Sequence, residues 1–312
     1  MKKVLVTGAA GCLGKLVLKY LLSEGKYEVT AVDLKNKKAH KVLRRYKRRV
    51  NVIYGDITDP ILMDALVKEH DYIIHLATVK PTLSILNKKI CREIDYKGSE
   101  NIIRAITFYN PKCFLIYPST TVVYGKKEKP VSVKDKVDIK ELDEYSKTKY
   151  EIENLIKEKL NNYVIYRIPT VLADVDEDFL YNTPLNNETE FISADDTAYA
   201  LVKTINQSEQ VNKKIYNLGG GKNCRTTFRK LLIRILETKG LSFQYLWSLF
   251  FLEKCFYGHV YLDSEKIENL LQYQNDSIDS HFMKMKRKLK GQRKLNKILA
   301  KPFISILKKR DY

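Results

Sequence analysis

The strongest constraint on how this chain can fold lies in its first fourteen residues. Val4-Leu5-Val6-Thr7 is a short apolar run that ends in Gly8-Ala9-Ala10-Gly11-Cys12-Leu13-Gly14, and a helical pattern follows through Leu16, Leu18, Leu21 and Leu22. A strand that turns through spaced glycines straight into a helix has a physical purpose. The glycines permit a tight turn and bring backbone N–H groups close to a pyrophosphate, which then sits on the positive end of the helix. Asp33 closes the next apolar run, about twenty residues on. An acid there accepts hydrogen bonds from an adenosine ribose and repels a 2′-phosphate, so NAD is favoured over NADP. The basic run that begins at Lys35 is a competing signal, because a nearby cation could hold that phosphate.

The alternation continues down the chain. Strand-like runs recur at 29–33, 50–54, 72–76, 113–117, 163–167 and 214–218. Helical patterns fall at 95–108, 142–160, 194–205 and 226–238. Repeated βα units of this kind predict an α/β, Rossmann-type doubly wound parallel sheet. The expected division is an NAD-binding core over 1–168 with returns from about 191–218, a small substrate-binding lobe over 169–275, and a basic tail over 276–312. Residues 173–190 read as a polar, acidic loop.

Charge narrows the function classes. The net charge is +19, but residues 35–49 contribute nine Lys/Arg with no acid, and residues 281–312 contribute twelve against Asp311 alone. The remainder is close to neutral, so the basic character is local. The tail has few aromatics (Phe282, Phe303, Tyr312), which argues against a stacking nucleic-acid surface. Its apolar residues Ile298, Leu299, Phe303, Ile304, Ile306 and Leu307 leave two readings, a solvated segment or a peripheral helix on anionic membrane. The five cysteines are scattered without metal-ligand spacing, so no metal site and reduced, cytoplasmic thiols are expected. The apolar run after Met1-Lys2-Lys3 is too short for a signal peptide, and that at 241–252 is too short to span a bilayer.

Tyr145-Ser146-Lys147-Thr148-Lys149 carries the chemistry. Tyr145 and Lys149 are four apart, hence on one face of a helix. A phenol is a poor base at neutral pH, and a cation one turn away stabilises its phenolate. With 21 tyrosines in the chain, the spacing alone could equally be a solvated helix face.

Context decides between them. Over roughly residues 1–275 the sequence resembles the extended short-chain dehydrogenase/reductase superfamily, in its NAD-dependent epimerase/dehydratase family. The matching pieces, in order, are the glycine turn, Gly55-Asp56-Ile57, His75-Leu76-Ala77-Thr78, Pro118 to Gly125, Tyr145-x-x-x-Lys149, Phe191 to Asp196, and Tyr216 to Gly221. The resemblance implies that Tyr145 is the general acid/base and that Lys149 lowers its pKa and binds the nicotinamide ribose. Thr120 would hydrogen-bond the reacting oxygen, with Ser119 as its rival. Gly8, Gly11, Cys12, Leu13, Gly14, Asp33, Asp56, Ile57, Leu76, Ala77, Thr78 and Pro169 would line the cofactor. Asp56 reads either as an adenine contact or as a turn residue. Hydride would pass between a substrate carbon and the nicotinamide.

The chain departs from the family at three places. Thr120 is followed by Thr121-Val122 and not by the Asp-Glu pair of the dehydratases, which argues against a 4,6-dehydratase. Arg167-Ile168-Pro169 and Thr189-Glu190 stand where many nucleotide-sugar members carry the Asn and Arg that hold a diphosphate, leaving Arg225 as a substitute cation. Asp95 replaces the Asn expected before Gly98-Ser99. The favoured reading is an epimerase or oxidoreductase acting on a nucleotide sugar. A reductase or dehydrogenase of a small carbonyl or hydroxyl compound, or a non-catalytic NAD-binding scaffold, are the alternatives. The family also suggests a homodimer.

Overall fold

The computed structural model describes residues 1–79, 87–125, 127, 130–173, 186, 188–240 and 263–291. Its strands are β1 (Lys2–Thr7), β2 (Tyr27–Asp33), β3 (Asn51–Tyr54), β4 (Tyr72–His75), β5 (Phe114–Thr120), β6 (Tyr163–Ile168), β7 (Val171–Leu172), β8 (Glu188–Glu190), β9 (Ile192–Ser193), β10 (Lys214–Asn217) and β11 (Arg225–Thr227). The helices of seven residues or more are α1 (Cys12–Glu24), α2 (Lys37–Leu43), α3 (Pro60–Lys68), α4 (Lys97–Tyr109), α5 (Glu144–Lys159), α6 (Ala194–Lys203), α7 (Phe228–Lys239), α8 (Ser264–Leu271) and α9 (Ile278–Lys288).

Seven strands form one parallel sheet in the order β3-β2-β1-β4-β5-β6-β10. The expected doubly wound fold is therefore present. Pleating sends alternate side chains to opposite faces, and parallel sheets are covered on both. Val4 and Val6 of β1 join the layer that holds Val17, Leu18 and Leu21 of α1 and Leu201 and Val202 of α6. Leu5 joins the opposite layer, with Met63 and Val67 of α3, Ile102 and Ile106 of α4, and Ile152 and Ile156 of α5. The strand order reverses between β1 and β4. Chain ends diverge there, and the crevice beyond their carboxyl ends is where ligands bind in such sheets.

Local signals set several boundaries. Gly25 ends α1 in a left-handed conformation. Asp59 caps α3, with Pro60 at its first position, and Asp143 caps α5 by accepting the Ser146 N–H. The basic run contains α2, capped by Asn36, with Ala39 and Leu43 turned inward and the cations left in solvent. A small antiparallel pair, β8 with β11, and a parallel pair, β7 with β9, form two separate two-stranded sheets.

The segment expected as a basic tail begins with a docked helix. Ile278, Phe282 and Met285 of α9 pack with Phe228, Leu231, Leu232 and Ile235 of α7, and with Leu172 and Phe191. The spacing of those three residues is helical, but lysines and arginines around them mask it in the sequence. Most of the loop expected at 173–190, the apolar run at 241–252 and the tail's last apolar cluster lie outside the described residues. Among the described residues no helix is long and apolar enough to cross a membrane.

Candidate functional site

The glycine turn opens directly into the crevice. Gly8 lies at φ +65°, and a Cβ there would come within 2.7 Å of the Ala77 backbone nitrogen and the Leu76 carbonyl carbon. At Gly14 a Cβ would lie 2.4 Å from the Gly8 carbonyl oxygen. These are backbone-on-backbone approaches that no rotamer relieves. Gly11 precedes α1 without any side-chain cap, and the first turn of α1 holds no acid. The N–H groups of Leu13 and Gly14 and the positive helix end thus face where an anion would bind. The Ala9 N–H donates to the Val32 carbonyl, and the Ala10 N–H donates to Asp33 Oδ2 at 2.8 Å. Asp33 also accepts the Leu34 N–H on Oδ1. Its carboxylate is therefore fixed at the rim of the turn, at the end of β2. This uncapped helix and positioned acid fit the pyrophosphate and ribose of NAD.

The other cofactor positions fall along the same rim. Asp56 is exposed, and its Oδ1 accepts the Thr58 N–H at 2.9 Å in a self-made turn. Ile57 is buried against Gly98, where a Cβ would meet its side chain. Leu76 and Ala77 continue β4 over the crevice: the Leu76 N–H donates to the Thr7 carbonyl, and the Ala77 N–H to the Thr7 hydroxyl. Thr78 is exposed, and Pro169 is buried just past β6.

Beneath this rim His75, the last residue of β4, bridges the end of β1 to helix α4. Its Nδ1 lies 2.7 Å from the Thr7 hydroxyl and its Nε2 lies 3.0 Å from that of Ser99. Burial and the nearby Lys149 charge pull its pKa down to about 3, so the imidazole is neutral and structural.

Tyr145 and Lys149 stand on one face of α5, which packs against β5 and the 3₁₀ turn Thr121–Tyr124. Lys149 Nζ lies 5.9 Å from the centre of the Tyr145 ring and 5.3 Å from that of Tyr117. Burial pushes the Tyr145 hydroxyl well above the usual phenol range, and the Asp95 charge adds to this. Burial lowers the Lys149 pKa, and Asp95, Cys91 and Glu153 oppose that fall.

The end of β5 separates the two hydroxyl candidates. Adjacent strand residues point to opposite faces. Ser119 donates to Glu153 Oε1 at 2.5 Å, inside a buried pair in which the Arg167 guanidinium holds the same carboxylate. Thr120 accepts the Val122 N–H at 3.3 Å, which leaves its proton available to another oxygen. This geometry favours Thr120 over Ser119.

Two further relationships appear here, and only the first is legible in the sequence. Glu153 follows Lys149 by one helical turn, so α5 carries Tyr145, Lys149 and Glu153 in one stripe, a spacing that was available to be read. Glu190 is buried and accepts the Gly221 N–H at 3.0 Å and Arg225 Nε at 2.8 Å. The expected substitute cation Arg225 is thus met by a buried acid on the neighbouring strand, where β8 and β11 pair them directly. Among the described residues no group of three His, Cys, Asp or Glu is placed to hold a metal ion.

Comparison with known proteins bears on the family and the fold. The model of the NAD dependent epimerase/dehydratase family matches residues 4–176. A UDP-N-acetyl-alpha-D-glucosaminuronate decarboxylase of Bacillus cytotoxicus is 33% identical over 135 residues, covering 43% of this chain and 41% of the relative. A UDP-glucose 4-epimerase of Yersinia enterocolitica is 30% identical over 135 residues, covering 40% of this chain and 39% of the relative. The chain thus spans about two fifths of the length of the curated relatives it matches. Among solved structures, a UDP-glucuronic acid 4-epimerase of Bacillus cereus in complex with UDP-glucuronic acid and NAD superposes with a TM-score of 0.72 at 20% identity, covering 91% of this chain and 99% of that one. A UDP-glucose-4-epimerase of Stenotrophomonas maltophila with bound NAD gives 0.75 at 18% identity, covering 93% and 99%. Such likenesses show the shared fold, and the family match spans more than half of the chain: this protein belongs to the NAD-dependent epimerase/dehydratase family.

Proposed function

We propose that the protein is an NAD-dependent epimerase acting on a nucleotide sugar at a carbinol carbon. The observation that carries this is the placement of Tyr145 and Lys149 on one turn of α5 against the end of β5, where Thr120 keeps a free proton to donate. Bound NAD supplies the hydride acceptor and donor, held by the glycine turn and Asp33. Tyr145 takes the proton of the substrate hydroxyl as the carbon is oxidised, and returns it when the carbonyl is reduced from the opposite face. Lys149 stabilises the phenolate in between. Thr120 hydrogen-bonds the reacting oxygen throughout. The turn after Thr120 offers Thr121 and Val122, with no acid to expel a neighbouring hydroxyl, so epimerisation is preferred to 4,6-dehydration.

One observation favours a second reading, a reductase or dehydrogenase of a small carbonyl compound. Arg225 is countered by Glu190, which weakens it as a diphosphate ligand. An assay over a panel of UDP-, CDP- and dTDP-sugars, following the cofactor's oxidation state and the sugar products, separates the two. Tyr145→Phe should lose at least a hundredfold in turnover and still bind NAD (general acid–base catalysis contributes about 10²–10⁴). Full activity in that variant would refute the mechanism. Inactivity on every diphosphate sugar would transfer the proposal to the small carbonyl substrate. A homodimer and peripheral contact of residues 281–312 with anionic membrane are inferred as partners, to be tested by light scattering and by liposome sedimentation.

A further inference from the structure

The site holds a charge that its family resemblance does not lead one to expect. Asp95 is 1% exposed and sits in a π-helical turn, Cys91–Tyr96, that runs straight into α4. Its Oδ1 accepts the Val79 N–H at 2.7 Å and its Oδ2 accepts the Thr78 hydroxyl at 2.8 Å. The same Oδ2 lies 3.9 Å from Lys149 Nζ, and both side chains are almost wholly out of solvent. One carboxylate therefore ties the cofactor-side turn after β4 to the ammonium beneath Tyr145.

We propose that Asp95 is a positioning residue, the built-in counter-charge of Lys149, which keeps Lys149 protonated and shares its charge in competition with the Tyr145 phenolate. An Asn at this place would keep a hydrogen bond to the Thr78–Val79 turn but would leave the ammonium charge to Tyr145 alone. The carboxylate instead fixes Lys149 as a cation and draws part of its field away from the phenol. Other anionic groups around the pair contribute less to this role. Lys149 also faces Cys91 from the π-turn, Glu153 from its own helix, Tyr117 from β5, neutral His75 from β4, and Tyr145. Tyr145 faces Asp95, Cys91 and the cap residue Asp143. Glu153 is occupied by Arg167 and Ser119. Removing the Asp95 charge should lower the titration of both Tyr145 and Lys149, because loss of a negative neighbour disfavours every protonated form near it. The working pH window then moves to lower pH as a whole. This inference deepens the proposed catalytic reading of Tyr145 and Lys149.

The test needs no knowledge of the substrate. Lys149 in the full-length protein and in Asp95→Asn is titrated by competitive trace acetylation from pH 6 to 11, read by mass spectrometry of its peptide against exposed lysines. The Lys149 midpoint should fall by about one pH unit in the variant, giving roughly tenfold more labelling below the midpoint. An unchanged or raised midpoint overturns the proposal. Should Asp95→Asn fail to fold, Thr78→Val supplies the second arm. It removes one partner of Oδ2, leaves the carboxylate to Lys149, and should raise the midpoint; no change or a fall overturns the proposal. Failure of the epimerase reading would appear only in the sugar assays, and failure of the counter-charge only in these titrations.

Discussion

Replacing Glu153 by Met breaks the buried ion pair that backs the end of β5. Its side chain is 0% exposed and that of Arg167 is 4% exposed. Arg167 Nη2 donates to Glu153 Oε2 at 2.7 Å, and its Nε is 3.2 Å from both carboxylate oxygens. Ser119 adds a third donor at 2.5 Å. Loss of the carboxylate leaves a guanidinium in a dry interior, and removal of one partner of such a pair costs about 3–5 kcal/mol. At roughly 2–4 °C per kcal/mol for a chain of this size, Tm should fall by about 6–20 °C. The Glu153→Met, Arg167→Met double variant replaces both charges by apolar chains and should recover most of the loss, since a buried pair is worth little against well-packed hydrophobic groups. Thermal and urea unfolding followed by circular dichroism reads both effects. A single variant that costs less than about 1 kcal/mol, or a double variant no better than the single, would refute this account of the pair.

Gly14→Ala forces a methyl group onto the Gly8 carbonyl and the Ala9 backbone, so NAD affinity should drop more than tenfold with about 1–3 kcal/mol of destabilisation; unchanged calorimetric binding would contradict the close approach. His75→Asn tests the neutral histidine. Its folded pKa, about 3, lies below the ordinary 6.5, so its contribution to stability is complete above pH 6.5 and is lost as pH falls toward 3. The variant should lose this part of the acid slope, about 1.4 kcal/mol per pH unit, and parallel acid-unfolding curves would argue against it. For membrane sedimentation, truncation after residue 291 should abolish binding to anionic liposomes, and retained sedimentation would refute the membrane contact. Truncation before residue 281 should also lower Tm, because Phe282 and Met285 are core residues packed with α7.

Much of this was legible in the sequence because it rests on local rules. Alternating apolar runs and glycine spacing located the seven parallel strands and the crevice, and Tyr145 with Lys149 needed only helical spacing. What the sequence does not carry depends on contacts distant along the chain. Asp95 and Lys149 are brought together only by folding, as are Glu190 and Arg225. Helix α9 was hidden because its three apolar anchors are spaced among cations, so composition read as a solvated segment. Ser119 and Thr120 could not be ranked from identity alone. Strand pleating and the occupation of Ser119 by Glu153 distinguish them.

The π-helical turn at Cys91–Tyr96 stores information in chain length as well as in residue identity. An α-helix advances about 100° per residue, and a π-turn accommodates one residue more than the α-helical path requires. Deleting a single residue there would return the turn to α-helical phase and swing Asp95 by roughly a quarter of a turn relative to α4, away from Lys149. The electrostatic setting of the site can therefore be switched by a change of register that substitutes none of the residues holding cofactor or proton.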